Sequence, residues 1–165
     1  MGAAIRIVLA HGQAPVCDGL KALLSAQGGF EVVAETGDGS AVEALVRRFS
    51  PRLLLLDLAL PGLHGVEVAA ALKAELGEAI KVLLLAGDMP PHSVRQALAS
   101  GADGYVHSND DAAELLKAVH AVLGGRQYVS RKVAAVFVPP SLRLEAQDDA
   151  PPACSPARAR RQDLT

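Results

Sequence analysis

The sequence has no tryptophan, and its aromatic residues are three phenylalanines and two tyrosines in 165 residues. A core must therefore be built from Leu, Val, Ala and Ile. An excess of basic residues is also missing. The formal net charge of -2 argues against binding nucleic acid through a general basic surface. The only two cysteines, Cys17 and Cys154, are far apart, which suits a reducing compartment better than a disulfide framework. There is no apolar run long enough to span a bilayer and no signal-peptide core near the start. Met1-Gly2 opens the chain, but Arg6 stands where an N-myristoylation signal needs Ser or Thr. The expectation is a soluble, cytoplasmic protein with no membrane partner.

Apolar residues make up 50% of the chain and charged residues 21%, so a packed core is easily supplied. The length allows one α/β domain plus a tail. The most informative stretch is 53–65, Leu-Leu-Leu-Leu-Asp-Leu-Ala-Leu-Pro-Gly-Leu-His-Gly. A short apolar run bounded by turn residues predicts a strand buried on both faces of a parallel sheet. Asp57 then sits at the strand's carboxyl end, where open α/β sheets place their ligand sites. The other reading of Asp57 is a carboxylate that caps a turn.

Strand and helix patterns alternate on either side of this stretch. Strands are predicted at Ile5–Ala10, Phe30–Ala34, Leu53–Leu58, Lys81–Leu85 and around Tyr105–His107. Helical spacing follows each: Val16–Gln27 with Pro15 in its first turn, Val42–Phe49 with Ser40 as N-cap, Val66–Leu76, Pro91–Ser100, and Asp111–Leu123 stopped by Gly124-Gly125. Five such units call for a parallel sheet with helices on both faces. A short helical segment with Val133, Val136 and Phe137 runs up to Pro139-Pro140. The following residues, rich in Pro, Ala, Arg, Gln and Asp, read as a linker. Its Arg158, Arg160 and Arg161 read as a solvated run rather than a nucleic-acid arm.

Several of these residues together resemble a response-regulator receiver domain, the flavodoxin-like (CheY-like) α/β fold with a doubly wound five-stranded parallel sheet. The resemblance spans residues 4–125 and rests on Asp57 with Pro61-Gly62 and Gly65, on Gly101-Ala102-Asp103-Gly104-Tyr105, and on Gly19-Leu20. Gly124-Gly125-Arg126-Gln127-Tyr128 resembles the branch whose receivers precede a LuxR-type (NarL/FixJ) helix-turn-helix, a domain that commonly opens with Leu-Thr. The expected division is a receiver over 1–126, a short helix over 127–138 and a linker over 139–165 ending at Leu164-Thr165. A DNA-binding domain outside this chain would follow.

The resemblance implies that Asp57 accepts a phosphoryl group from a histidine kinase, and it names the helpers that reaction needs. Two acidic residues after the first strand hold Mg²⁺ in the family; here they are His11 and Gly12. A Ser or Thr after the fourth strand donates to a phosphoryl oxygen, and Ala86 stands in its place. A Lys after the fifth strand pairs with the phosphoryl charge, and Ser108 aligns with it. Tyr105 matches an aromatic whose orientation reports activation; its other reading is a half-buried ring packed on the fourth helix.

The expectation is an atypical, non-enzymatic receiver with weak or absent Mg²⁺ binding. It would switch by homodimerisation or a small-molecule ligand, with the first or last helix as the two-fold contact. The alternative is a conventional regulator still phosphorylated at Asp57. A third reading, a nucleotide binder or enzyme, finds no phosphate-cradling glycine spacing in His11-Gly12-Gln13-Ala14-Pro15 and no nucleophile–base set. At the acceptor, His11 is expected beside Asp57, either as a protonated imidazole replacing part of the metal charge or as a solvent-exposed ring. His64 and His107 read as structural rather than as metal ligands. Asp38, Asp88, Asp103, Asp110 and Asp111 read as turn and cap residues, and Cys17 as a small filler.

Overall fold

The computed structural model describes residues 4–60, 65–87 and 90–135. Six parallel strands lie in the order β2-β1-β3-β4-β5-β6. They are β1 (Ile5–Ala10), β2 (Phe30–Thr36), β3 (Leu53–Asp57), β4 (Lys81–Ala86), β5 (Gly104–His107) and β6 (Tyr128–Val129). Helices α1 (Ala14–Ala26), α2 (Val42–Phe49), α3 (Gly65–Leu76), α4 (Pro91–Ala99) and α5 (Ala112–Leu123) join successive strands, and α6 (Arg131–Ala134) follows β6.

The central strands are apolar on both faces because both faces are covered. Alternation sends Val8, Ala10, Leu54, Leu56, Val82, Leu84 and Tyr105 into a core shared with α2, α3 and α4. The intervening Ile7, Leu9, Leu53, Leu55, Leu83 and Val106 enter a second core against α1 and α5. Leu53 to Leu56 are at most 1% exposed. Each such leucine contributes about 1.5–3 kcal/mol of burial, so β3 is the best-anchored strand and fixes where Asp57 stands.

Two glycines are set by close approach. A Cβ on Gly104 would lie 2.6 Å from Leu83 Cδ1 and 2.9 Å from Val122 Cγ1. A Cβ on Gly65 would lie 2.7 Å from Leu58 Cδ2, so α3 begins flush against the loop that leaves Asp57.

Three sequence expectations need correction. The sheet has six strands, not five. Tyr128 N–H donates to Asp103 O at 3.1 Å and Ser130 N–H to Tyr105 O at 3.0 Å, adding a two-residue edge strand. The helix expected from residue 127 therefore starts only at Arg131, capped by Ser130 Oγ, which accepts from Val133 N–H at 3.4 Å. Ser40 is not the cap ahead of α2. Asp38 Oδ1 accepts from Ser40 N–H at 2.9 Å and from Ser40 Oγ–H at 2.8 Å, closing a single 3-10 turn that leads into the helix. Those two donors stabilise the ionised Asp38 and hold its pKa below the ordinary value.

Candidate functional site

The crevice lies at the carboxyl ends of β1, β3, β4 and β5. Asp57 closes β3 in register with Leu85, and His11 follows the last residue of β1, where Ala10 pairs with Leu56. Asp57 Oδ1 accepts from Ala59 N–H at 2.9 Å, as a turn-capping carboxylate does. Its other oxygen, Oδ2, faces His11 Nε2 at 3.5 Å. The two side chains are 14% and 11% exposed, so the pair is largely screened from solvent.

The backbone fixes the orientation of the imidazole. Gln13 N–H, at the N-cap of α1, donates to His11 Nδ1 at 3.1 Å. The ring is thereby held with Nδ1 on the backbone of α1 and Nε2 turned to Asp57. At 11% exposure His11 is not the solvent-exposed ring of the second sequence reading. His11 N–H also donates to Thr36 O at 3.0 Å, anchoring the backbone to the end of β2.

The other positions contribute little chemistry. Gly12 has no side chain. Ala86 ends β4, is 2% exposed and presents a methyl group; its carbonyl accepts from Ser108 N–H at 2.7 Å. Ser108 is exposed, and its Oγ lies 3.5 Å from where a Cβ on Gly87 would stand. The exits of β4 and β5 are thereby pinned together beside the acceptor.

Tyr105 points inward. Its ring is 1% exposed in the core that also holds Val94 and Ala97 of α4 and Val133 of α6. Burial pushes its phenol up to about 12. Tyr128 donates a short hydrogen bond to Glu114, and its phenol is also raised, first by burial and then by that carboxylate.

The aspartates within the described residues serve as caps and ties. Asp111 caps α5 through Glu114 N–H at 2.9 Å, and Asp110 accepts from His107 N–H at 2.8 Å. Asp103 Oδ2 accepts from Lys73 Nζ and from Val82 N–H, both at 2.9 Å. Cys17 lies beneath the loop, its Sγ 3.7 Å from His11 O. Burial and Glu35 push its thiol above the ordinary value, the opposite of what a reactive thiolate needs. His107 is 9% exposed, with Nδ1 accepting from Asn109 N–H at 3.0 Å. Among the described residues no three His, Cys, Asp or Glu side chains group so as to hold a metal ion. Pro61-Gly62, His64, Asp88, Val136, Phe137, Cys154 and the 139–165 segment lie outside the described residues.

Sequence reasoning missed a groove of about 620 Å³ between α3 and α4, lined by Leu58, Val66, Ala70, Ser93, Gln96 and Ala99 among others. Leu58, one of its lining residues, follows Asp57 in the chain. The small side chains of Ala70 and Ala99 were its only sequence signal.

The response regulator receiver domain matches residues 7–120. The chain belongs to the response-regulator receiver family. This receiver is 39% identical over 100 residues to the transcription regulator BvgA of Bordetella pertussis, an alignment covering 61% of this chain and 47% of BvgA. It is 35% identical over 127 residues to the transcriptional regulatory protein NarL of Mycobacterium tuberculosis, covering 76% and 58% of the two chains. The crystal structure of a LuxR-family two-component response regulator from an Aurantimonas species superposes with a TM-score of 0.74 at 30% identity, covering 82% of this chain and 96% of that one. The receiver's relatives are thus LuxR- and NarL-type response regulators. It spans about half the length of the curated relatives it matches. No helix among the described residues is long and apolar enough to cross a membrane.

Proposed function

We propose that this receiver is the regulatory half of a cytoplasmic, DNA-binding transcription regulator, and that its state is not set by ordinary Mg²⁺-dependent phosphorylation of Asp57. The observation that carries this reading is His11 beside the acceptor, its Nδ1 accepting from Gln13 N–H at 3.1 Å and its Nε2 3.5 Å from Asp57 Oδ2.

Magnesium asks for hard oxygen ligands in near-octahedral array. The side chains at the family's metal positions do not fit it. Asp57 supplies one carboxylate, Gly12 supplies nothing, and His11 offers an imidazole nitrogen where a hard oxygen is wanted. The phosphoryl group would also miss two charge-assisted hydrogen bonds, worth roughly 1.5–3 kcal/mol each. Their sum, about 3–6 kcal/mol, brackets the ~5.5 kcal/mol that moves a two-state switch from 1:99 to 99:1. Phosphorylation without them would be slow and would bias the switch little.

Control then falls to dimerisation or to a small molecule. The groove beside Leu58 has the size of an ordinary ligand site. The outer faces of α1 and α5 are available for an isologous contact, and Val16 on α1 is 36% exposed. DNA would be bound through a C-terminal domain outside this chain, and the receiver itself performs no catalysis.

The test is incubation with acetyl phosphate and Mg²⁺ followed by intact mass. No phosphate adduct is expected on the wild type, and Asp57→Ala should leave the oligomeric state unchanged. An adduct present on the wild type and lost in Asp57→Ala would favour the conventional regulator, phosphorylated by a histidine kinase.

A further inference from the structure

The groove between α3 and α4 and the chain that leaves α6 lie on the same face of the sheet. Val133 of α6 shares one core with Val94 and Ala97 of α4 and with Val68, Ala69 and Leu72 of α3. The strand order sets these helices side by side. α3 joins β3 to β4, α4 joins β4 to β5, and α6 follows β6 and packs on β5. α4 therefore stands between α6 and the groove. The described residues end at Ala135, the C-cap of α6, so residue 136 starts out beside α4.

The next stretch is the apolar part of what remains. Val136-Phe137-Val138-Pro139-Pro140-Ser141-Leu142-Arg143-Leu144 carries five large apolar side chains, whereas Glu145 to Asp163 contains no Val, Leu, Ile, Met or Phe. Such side chains gain free energy by leaving water. The groove, about 620 Å³, offers them an apolar lining in Leu58, Val66, Ala70 and Ala99. Glu67 also lines it, is exposed and makes no ion pair among the described residues. Arg143, the first basic residue after Lys132, would bring the opposite charge. Reach is sufficient, because residues 135–141 extend about 23 Å at ~3.3 Å each, and a helix is only about 10–12 Å across. A tether that short holds the segment at an effective concentration on the order of millimolar, so modest contacts are enough to seat it.

We propose that residues 136–144 of this chain cross α4 and dock in the groove between α3 and α4, with Arg143 beside Glu67. Leu58 lines the groove and follows Asp57 in the chain, so the docked segment ties the outgoing chain to the loop that leaves the acceptor. A small molecule entering the groove would act by displacing the segment. The proposal is independent of how Asp57 is controlled, so its failure would leave the reading of the crevice standing.

The experiment follows tryptic cleavage of the Arg143–Leu144 bond in the full chain by mass spectrometry, against the same bond in a free peptide of residues 136–150. Cleavage requires the segment to leave the groove, so the bond in the chain should be cut roughly tenfold more slowly than in the peptide. The Arg158–Ala159 bond, beyond the segment, should be cut at the rate of its own free peptide. Ala99→Trp fills the groove from an exposed position and should abolish the protection, while Lys117→Trp on α5 should leave it intact, with circular dichroism checking the fold of both. Leu142→Ser with Leu144→Ser, compared with its matched peptide, should also abolish it and leaves every described residue unchanged. Cleavage of the wild type at the peptide's rate would overturn the proposal and leave the groove to another occupant. Protection retained in Ala99→Trp or in the serine variant, or lost equally in Lys117→Trp, would overturn it too. So would protection that fades on dilution, which would put the segment in the groove of a second copy.

Discussion

If the crevice fails at phosphoryl chemistry because four side chains are missing, supplying them should restore it. The perturbation is His11→Asp, Gly12→Asp, Ala86→Ser and Ser108→Lys in one chain. Serine is the choice at position 86 because that site is 2% exposed and threonine would overpack it. His11→Asp also removes the imidazole from Asp57 Oδ2 and frees Gln13 N–H to meet a carboxylate at the start of α1, which the helix dipole favours. The hydroxyl and the ammonium together supply about 3–6 kcal/mol to the charged transition state, a rate gain of roughly 10²–10⁴ before any metal contribution. The assay is the time course of the phosphate adduct by intact mass, with acetyl phosphate and Mg²⁺, at matched concentrations of variant and wild type. A folded variant no faster than the wild type would refute the reasoning, because the crevice would then lack something other than these four groups. A wild type already as fast as the variant would refute it from the other side.

Further predictions concern the scaffold. The folded phenol of Tyr105 is raised from the ordinary 10.0 to about 12. The neutral ring is therefore favoured in the folded state, and its stabilisation is complete below pH 10 and lost as pH climbs towards 12. An alkaline titration followed by phenolate absorbance and melting temperature should show about 2–3 kcal/mol disappearing across that window. Ordinary titration near 10 in the folded protein would show that the ring is not enclosed. Asp103→Ala leaves the Lys73 ammonium, 10% exposed, with no carboxylate and only Ile80 O as acceptor, and leaves Val82 N–H without its acceptor, so it should cost about 3 kcal/mol in urea unfolding. A loss below about 1 kcal/mol, the worth of a surface pair, would contradict the tie between α3 and the β4–β5 end of the sheet. Val133→Ala, at a side chain 2% exposed, should cost about 2 kcal/mol and lower the Tyr105 phenol towards its ordinary value. An unchanged midpoint would show that α6 is not packed on β5.

Much of this architecture was legible in the residues themselves. Leu53–Leu56 is too short for a helix and too apolar for a half-solvated strand, so a doubly covered strand ending at Asp57 was readable without coordinates. Helix faces such as Leu115, Val119 and Val122 carried the same clarity. Tyr128–Val129 did not, because two residues cannot display a period; what makes them a strand is their backbone pairing with the Asp103 and Tyr105 carbonyls. Ser40 was the obvious cap by residue type, yet Asp38 reaches both of its donors and takes the role. At the crevice, residue identity placed His11 near Asp57, but the ring's orientation depends on Gln13 N–H, a backbone group with no sequence signature.

The central claim concerns what the crevice can hold, and a titration of the wild-type chain with Mn²⁺ as a paramagnetic stand-in for Mg²⁺ tests it most directly. With one carboxylate and one imidazole at the site, water-proton relaxation should rise no further than in Asp57→Ala, with no saturable site. A saturable site present in the wild type and abolished in Asp57→Ala would contradict the account.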